Sequence, residues 1–339
     1  MKQTTFSSPI ERSREILQRA AKMGLNEHTA ILAVSGGTDS IAAADVMCRH
    51  GPEYGFEPDA VAHINTGAAV PQSRLTAKVF AEMWDLEFIE QGPRNQRNAL
   101  APRVLRGGWS GAFPGHPSQP GHGREWANRK AKPMDAVYMM FEGQETWVSG
   151  VRKLESKRRS GNVADGAVQS DKPRRTWVSP IVGWTDAEKR EYILKHNLPV
   201  SEAYLILGFS AECVACAFDD RGLLTDISIL SPELAYALQS VATWLYQLAK
   251  RGDVDIDPKR LCWGWEPNET ADVSDTEPQT QEIVGCSAGS CSTRNAPEWI
   301  RNLEPKQIID RSDVTTIWDG GISEVVDRFR EQVRQAQDG

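Results

Sequence analysis

The apolar run Ala30-Ile31-Leu32-Ala33-Val34 passes without a break into Ser35-Gly36-Gly37-Thr38-Asp39-Ser40, and the amphipathic stretch Ile41 to Cys48 follows at once. A short apolar run closed by a glycine turn reads as a buried strand. The turn must then hand the chain directly to a helix. Glycines let such a turn approach an anion closely, and the helix start offers unpaired N–H groups and the positive end of its dipole. Ser35 and Ser40 add hydroxyl donors. Asp39 is the odd member, because a carboxylate beside a phosphate repels it. It belongs there if it shares a divalent cation with the phosphate, or if it makes a bond that fixes the loop. The plain alternative is a tight turn that only caps a helix. The strand before it and the helix after it favour a phosphate cradle.

The same alternation continues. Ser8-Pro9 followed by Ile10-Glu11 marks a helix start, and Gly24 a stop. Ala60 to Ile64 reads as a second strand closed by Asn65-Thr66-Gly67, Pro71 to Trp84 as a helix, and Leu86 to Ile89 as a third strand. Thr146 to Gly150 is a further strand and turn, Trp177 to Ile181 a short strand, and Thr185 to Asn197 a helix with a capping box formed by Thr185 and Glu188. Strands alternating with helices specify an α/β fold, a doubly wound parallel sheet with helices on both faces. The Ser35–Ser40 turn would lie at the carboxyl edge of that sheet, where such folds bind ligands. Later come a long helix over Pro232 to Arg251, an acidic, turn-rich stretch over 266–284 and a last amphipathic helix over Ile322 to Gln337. The division expected is a nucleotide-binding domain over 1–208 and a smaller, Cys-containing, mostly helical region over 209–339.

Net charge is −7, so no global basic field exists to attract nucleic acid or a membrane. One local patch does: Arg152, Lys153, Lys157, Arg158 and Arg159, with Lys172, Arg174 and Arg175 beyond. It is either a contact for DNA or RNA or a solvated loop. There is no 18-residue apolar run and no leader-like segment, so a cytoplasmic protein with no membrane partner is expected. Of six cysteines, Cys48 stands alone in the first half, on the helix behind the glycine turn, where it reads as core. Cys213, Cys216, Cys262, Cys286 and Cys291 fall together in the second, which in a reducing compartment suggests metal or redox chemistry. Residues 92–133 are rich in Gly, Pro, Arg and Asn and read as a lid or substrate loop, with His116 and His122 as weak ligand candidates.

Several of these segments, in order, resemble the PAPS reductase family within the adenine-nucleotide α-hydrolase superfamily of ATP pyrophosphatases. Ser35 to Ser40 resembles the superfamily's pyrophosphate loop. Asn65-Thr66-Gly67 resembles an Asp-Thr-Gly that ends the second strand. Gly150-Val151-Arg152 with Glu155-Ser156 and Arg158 or Arg159 is similar to a Gly-x-Arg-x-x-Glu-Ser-x-x-Arg signature. Ile181 to Tyr204, then Gly208-Phe209 and Cys213-x-x-Cys216, resemble the blocks that follow. The resemblance covers roughly residues 12–220. The chain departs from it in carrying Trp126-Ala127 where the family has Trp-Cys before a characteristic lysine, here Lys130 or Lys132. It also has no Cys-Cys pair and no Glu-Cys-Gly motif.

What the resemblance implies is nucleotide chemistry. The cofactors expected are ATP, Mg²⁺ and a [4Fe–4S] cluster. Ser35, Gly36, Gly37, Thr38 and Ser40 would bind phosphate, with Asn65 on the ribose or adenine side and Gly150, Glu155 and Arg158 completing the pocket. Asp39, Arg152 and Lys132 are the catalytic candidates; for Arg152 the alternative is an ion pair with Glu155. Cys213, Cys216, Cys286 and Cys291 would hold the metal, with Cys262 as a spare. Their spacing suits iron–sulfur or tetrahedral zinc, the alternative being buried free thiols. The first functional expectation is cleavage of ATP to AMP and pyrophosphate to activate an acceptor for sulfur transfer, in the style of the DNA-phosphorothioation enzymes. Its partners would be a cysteine-desulfurase donor and a DNA or RNA acceptor. The alternatives are a thiol-dependent phosphoadenylyl- or adenylyl-sulfate reductase and a non-catalytic nucleotide- or cluster-binding regulator.

Overall fold

The computed structural model describes residues 7–67, 69–92, 127–141, 145–153, 165–169, 176–211, 221–236, 247, 249–253, 298–318 and 322–338. The first helix, α1 (Pro9–Lys22), starts at Ser8, whose hydroxyl accepts from the Glu11 N–H at 3.2 Å while the Glu11 carboxylate accepts from the Ser8 N–H at 2.6 Å. That reciprocal pair satisfies two donors a helix start otherwise leaves open. Then β1 (Thr29–Ala33), α2 (Thr38–His50), β2 (Pro58–Ile64), α3 (Pro71–Met83) and β3 (Glu87–Gln91) alternate. A short helix, α4 (Lys132–Tyr138), precedes β4 (Glu145–Val148); β5 (Ala167–Gln169), β6 (Thr176–Val178) and α5 (Asp186–Lys195) follow.

The sheet has six strands in the order β3-β2-β1-β4-β6-β5. The first five are mutually parallel; β5 runs antiparallel to β6 at the edge. Successive strand residues serve opposite faces. Leu32, Val61, Val148 and Val178 pack beneath α1, α2, α3 and α5, whereas Ile31, Ala60, Ala62 and Trp147 pack beneath α4 through Val137 and Tyr138. The sheet is therefore covered on both sides, and the strand order reverses between β1 and β4. A reversal of that kind marks the carboxyl ends of β1 and β4 as the crevice where folds of this class bind ligands.

The remaining described elements are β7 (Val200–Ser201), α6 (Ala203–Ile206), α7 (Arg221–Leu230), α8 (Glu298–Arg301), β8 (Ile308–Ile309), α9 (Arg311–Trp318) and α10 (Ile322–Asp338). β7 pairs in parallel with β8, and α10 buries Val325, Val326 and Phe329 against Leu75 and Val79 of α3. So the C-terminal segment is sewn onto α3. The helix expected over 232–251 falls partly outside the described residues; those described within it are mostly helical.

Helices α2 and α5 are joined through a buried polar knot. Asp45, fully buried, accepts from the Tyr192 hydroxyl at 2.7 Å and from Arg49 Nε at 2.7 Å. Its other oxygen has no partner. Tyr192→Phe removes one of these two bonds, and a destabilisation of about 1–3 kcal/mol is expected from the urea midpoint. His196 stacks on Tyr192, 4.3 Å between ring centres. Burial, with help from the positive charges of Arg49 and Lys195 and against the pull of Asp45, lowers its pKa from 6.5 to about 4. The unfolded chain therefore takes up a proton near pH 6.5 that the folded one refuses until about 4. Stability from this group is complete above pH 6.5 and is lost as pH falls through that window. Relative to His196→Gln, the native chain should lose roughly 1–2 kcal/mol more between those limits, after allowing for the half-exposed ring.

Candidate functional site

The crevice between β1 and β4 is floored by the Ser35–Ser40 turn. Gly36 has φ +83°, and a Cβ there would be driven into the backbone carbonyl of Ser73, at the start of α3. Gly150 is constrained in a different way: a Cβ would lie 2.5 Å from the carbonyl of Asp39 and the nitrogen of Ser40. Two chain segments thus close on the first turn of α2 with no room for a side chain. Ser35 and Ser40 are linked hydroxyl to hydroxyl at 3.2 Å; Ser40 also donates to the Gly37 carbonyl at 2.8 Å, and Ser35 accepts from the Gly37 N–H at 3.3 Å. Tyr204 brings its hydroxyl to the Thr38 N–H at 3.0 Å. The turn is a pre-shaped bowl of amides and hydroxyls, suited to an anion.

Asp39 is fixed by charge. Its Oδ1 accepts from Arg152 Nε at 2.6 Å and from Lys189 Nζ at 3.0 Å. Arg152 also donates through Nη2 to Asp186 at 2.7 Å and through Nη1 to the Trp184 carbonyl at 3.3 Å, and Lys189 lies 3.5 Å from Asp186. Arg152 is 3 % and Lys189 7 % exposed. Burial alone would raise the Asp186 carboxyl, but Arg152 and Lys189 outweigh it and hold it below the ordinary carboxylate range. Burial opposes the Arg152 charge, and Asp39 and Asp186 overcome this and strengthen it. Of the two reasons the sequence offered for Asp39, the structure supplies the bond that fixes the loop. Arg152, expected as a catalytic residue or a partner of Glu155, spends three donors inside the protein. Glu155 and Arg158 lie outside the described residues.

Asn65 ends β2 as expected and is committed to its own turn: its side chain accepts from the Gly67 N–H at 2.8 Å and donates to Glu90 at 2.7 Å, where Arg74 also lands through Nε at 2.7 Å. Lys132 opens α4 on the surface, its ammonium on Asn128 Oδ1 at 2.7 Å. Arg129, in the π-helical turn Ala127–Ala131, is 6 % exposed and reaches the site's rim by donating to the Thr66 carbonyl at 2.6 Å. Cys213, Cys216, Cys262, Cys286 and Cys291, the loop from 93 to 126 with its two histidines, and the basic patch beyond Lys153 up to residue 164, with Lys172, Arg174 and Arg175, lie outside the described residues. Cys48 is half-buried, with its thiol pKa pushed up by burial and by Asp45, which fits an inert position.

Sequence reasoning missed Lys189, Asp186, Tyr204, Ser73 and Arg129. Lys189 and Asp186 stand three apart on α5, which does flag one shared face. Nothing in the chain said that this face meets α2.

The donor set does not fit a magnesium ion held by the protein. Both carboxylates at the turn already accept from two cations, and among the described residues no cluster of three or more His, Cys, Asp or Glu side chains could hold a metal. No described helix is long and apolar enough to cross a membrane.

Residues 29–206, more than half of the chain, match the phosphoadenosine phosphosulfate reductase domain. Adenosine 5'-phosphosulfate reductase of Staphylococcus haemolyticus is 31% identical over 88 residues, 26% of this chain and 34% of that protein. The same enzyme of Oceanobacillus iheyensis is 31% identical over 88 residues, 35% of its length. The chain thus spans about a third of these curated relatives. Among solved structures, phosphoadenylyl-sulfate reductase from Candida auris, a phosphate complex, shares 16% identity at a TM-score of 0.42 and covers 61% of this chain and 88% of its own. Candida glabrata FMN adenylyltransferase with FAD and pyrophosphate shares 14% at 0.42, covering 59% of each chain.

Proposed function

Because this chain belongs to the phosphoadenosine phosphosulfate reductase domain family, we propose that its β1–α2 turn grips the anionic tail of an adenine nucleotide and that the protein reduces an adenosine 5'-phosphosulfate compound with thiols. The observation that carries the binding half is the build of the turn: backbone closes on it at Gly36 and Gly150 with no room for a side chain, and the Ser35 and Ser40 hydroxyls lie together within it. The reduction half is supported by the family and by the names of the two curated relatives. In that reaction two thiols become a disulfide, the sulfuryl group leaves as sulfite, and the nucleotide is released. The chain's described residues act by positioning and charge neutralisation. The Gly36–Ser40 amides and the Ser35 and Ser40 hydroxyls take the phosphate. Asn65 stands on the ribose or adenine side. Asp39 and Arg152 hold the turn in shape. Lys132 is proposed as a catalytic cation, and Gly150, Glu155 and Arg158 as further parts of the nucleotide pocket.

A second reading has one observation in its favour: the Ser-Gly-Gly-Thr-Asp-Ser turn, with both serine hydroxyls inside it, matches the ATP-cleaving form of the loop. On that reading ATP yields AMP and pyrophosphate and an acceptor is activated for sulfur transfer, with a desulfurase as donor and DNA or RNA at the basic patch as acceptor. Magnesium then enters as the counter-ion of the triphosphate and not as a resident ion. On either reading Cys213, Cys216, Cys286 and Cys291 are proposed to bind a [4Fe–4S] cluster, and no step is routed through it. Sulfite release from adenosine 5'-phosphosulfate or its 3'-phosphate with a dithiol, run beside AMP and pyrophosphate release from ATP with Mg²⁺, tests the assignment. Sulfite is the expected product. AMP and pyrophosphate alone would transfer the protein to the second reading, and nucleotide binding without any turnover would make it a regulator. Iron and acid-labile sulfide should disappear together in Cys213→Ser; zinc without iron in the native protein would refute the cluster.

A further inference from the structure

The carboxylate that the phosphate turn carries is balanced by the protein itself, and α5 supplies half of the balance. Asp39, Arg152, Asp186 and Lys189 form a closed square in which each cation lies between the two carboxylates, at 2.6, 2.7, 3.0 and 3.5 Å. Two negative and two positive charges make it neutral. The square sits directly behind the Asp39–Ser40 peptide, because Gly150 packs on that peptide and Arg152 follows two residues later. Any net charge on it therefore acts at short range on an anion bound at the amides in front, most strongly from the buried Arg152 and Lys189 and less from the exposed Asp186.

We infer that Lys189 is a positioning residue that takes the place of a divalent cation at Asp39, so that the turn accepts a nucleotide's phosphates without metal. This rests on the reading of the turn as an adenine-nucleotide site. Without Lys189 the square carries one net negative charge and repels the ligand. Arg152 alone then faces both carboxylates, and a divalent ion at Asp39 restores the charge that Lys189 supplied. Removing the Asp186 charge as well returns the square to neutrality with different atoms. A side chain needed only for packing would show no such dependence on charge.

The test is ATP affinity of the full chain by calorimetry, in EDTA and in Mg²⁺, for the native protein, Lys189→Met, Asp186→Asn and the double variant. The native protein should bind in EDTA within a few-fold of its affinity in Mg²⁺. Lys189→Met should lose about tenfold in EDTA and recover most of it in Mg²⁺. The double variant should bind in EDTA like the native protein, and Asp186→Asn at least as tightly. If Lys189→Met fails to fold, as judged by circular dichroism, Lys189→Gln carries the same comparison, because it removes the same charge while keeping a hydrogen-bond donor. A native protein that binds ATP only with Mg²⁺, or a double variant as weak as Lys189→Met in EDTA, would overturn the inference while leaving the site standing. A native protein that binds neither ATP nor adenosine 5'-phosphosulfate under any condition would overturn the reading of the site itself.

Discussion

Replacing Gly36 by alanine is expected to abolish nucleotide binding and to cost the fold about 3 kcal/mol or more. Two independent penalties meet at this position. The backbone has φ +83°, a region that costs an L-residue roughly 1–2 kcal/mol. The added Cβ is also driven into the Ser73 carbonyl, a backbone atom at the start of α3 that cannot swing aside as a side chain would. Overpacking of that kind typically costs about 1–3 kcal/mol. Relief requires α3 to move away from the turn, which would also disturb the Ser73 hydroxyl's bond to the Ser210 carbonyl and its 3.3 Å contact with Ser201. Urea denaturation reads the stability loss and calorimetry the affinity. A variant with native stability would mean that the turn is less tightly built than described.

Replacing Arg152 by methionine is expected to destabilise the chain by about 2–4 kcal/mol, with lysine only a partial rescue. The buried guanidinium serves three acceptors on two elements at once, Asp39 on α2, Asp186 on α5 and the Trp184 carbonyl before α5. Breaking a buried pair by removing one partner typically costs about 3–5 kcal/mol. The figure is lowered here because the Asp186 side chain is 75% exposed and can be rescued by water. Lysine keeps the charge but presents no planar fork to three fixed acceptors. Its midpoint should fall between those of the native protein and the methionine variant. If Arg152→Lys were indistinguishable from the native chain, the fork geometry would be irrelevant and Arg152 a point charge only.

Much of the α/β layout was legible in the sequence because it is written in short-range signals. Ser8-Pro9 and the Thr185/Glu188 box mark helix starts, and both helices begin there as expected. The apolar runs before Gly36 and Gly150 became β1 and β4, and their adjacency in the sheet produced the crevice. What escaped were features decided by long-range contacts. β5 is three residues of an antiparallel edge, too short to show alternation in the sequence. α4 overlaps the end of the Gly- and Pro-rich stretch 92–133 and shows no helix signal of its own in the sequence, although its Val137 and Tyr138 cover one face of the sheet. In the site, the turn itself was evident from its own residues. The meaning of Asp39 was not, because its partners sit 113 and 150 positions away in the chain. A lysine such as Lys189, drawn from a charged helix face, looks like any solvated residue until the helix it packs against is known. The family's usual lysine pointed to Lys130 or Lys132, while Arg129 is the cation whose side chain turns inward to Thr66.

The most direct test of the central claim is amide hydrogen exchange along the full chain, with and without adenosine 5'-phosphosulfate or ATP. An anion seated on the first turn of α2 must slow exchange at Gly36 to Ser40, while α10, on the far side of α3, should not change. Protection confined to other segments, with 35–40 exchanging at the same rate in the ligand's presence and absence, would contradict the account.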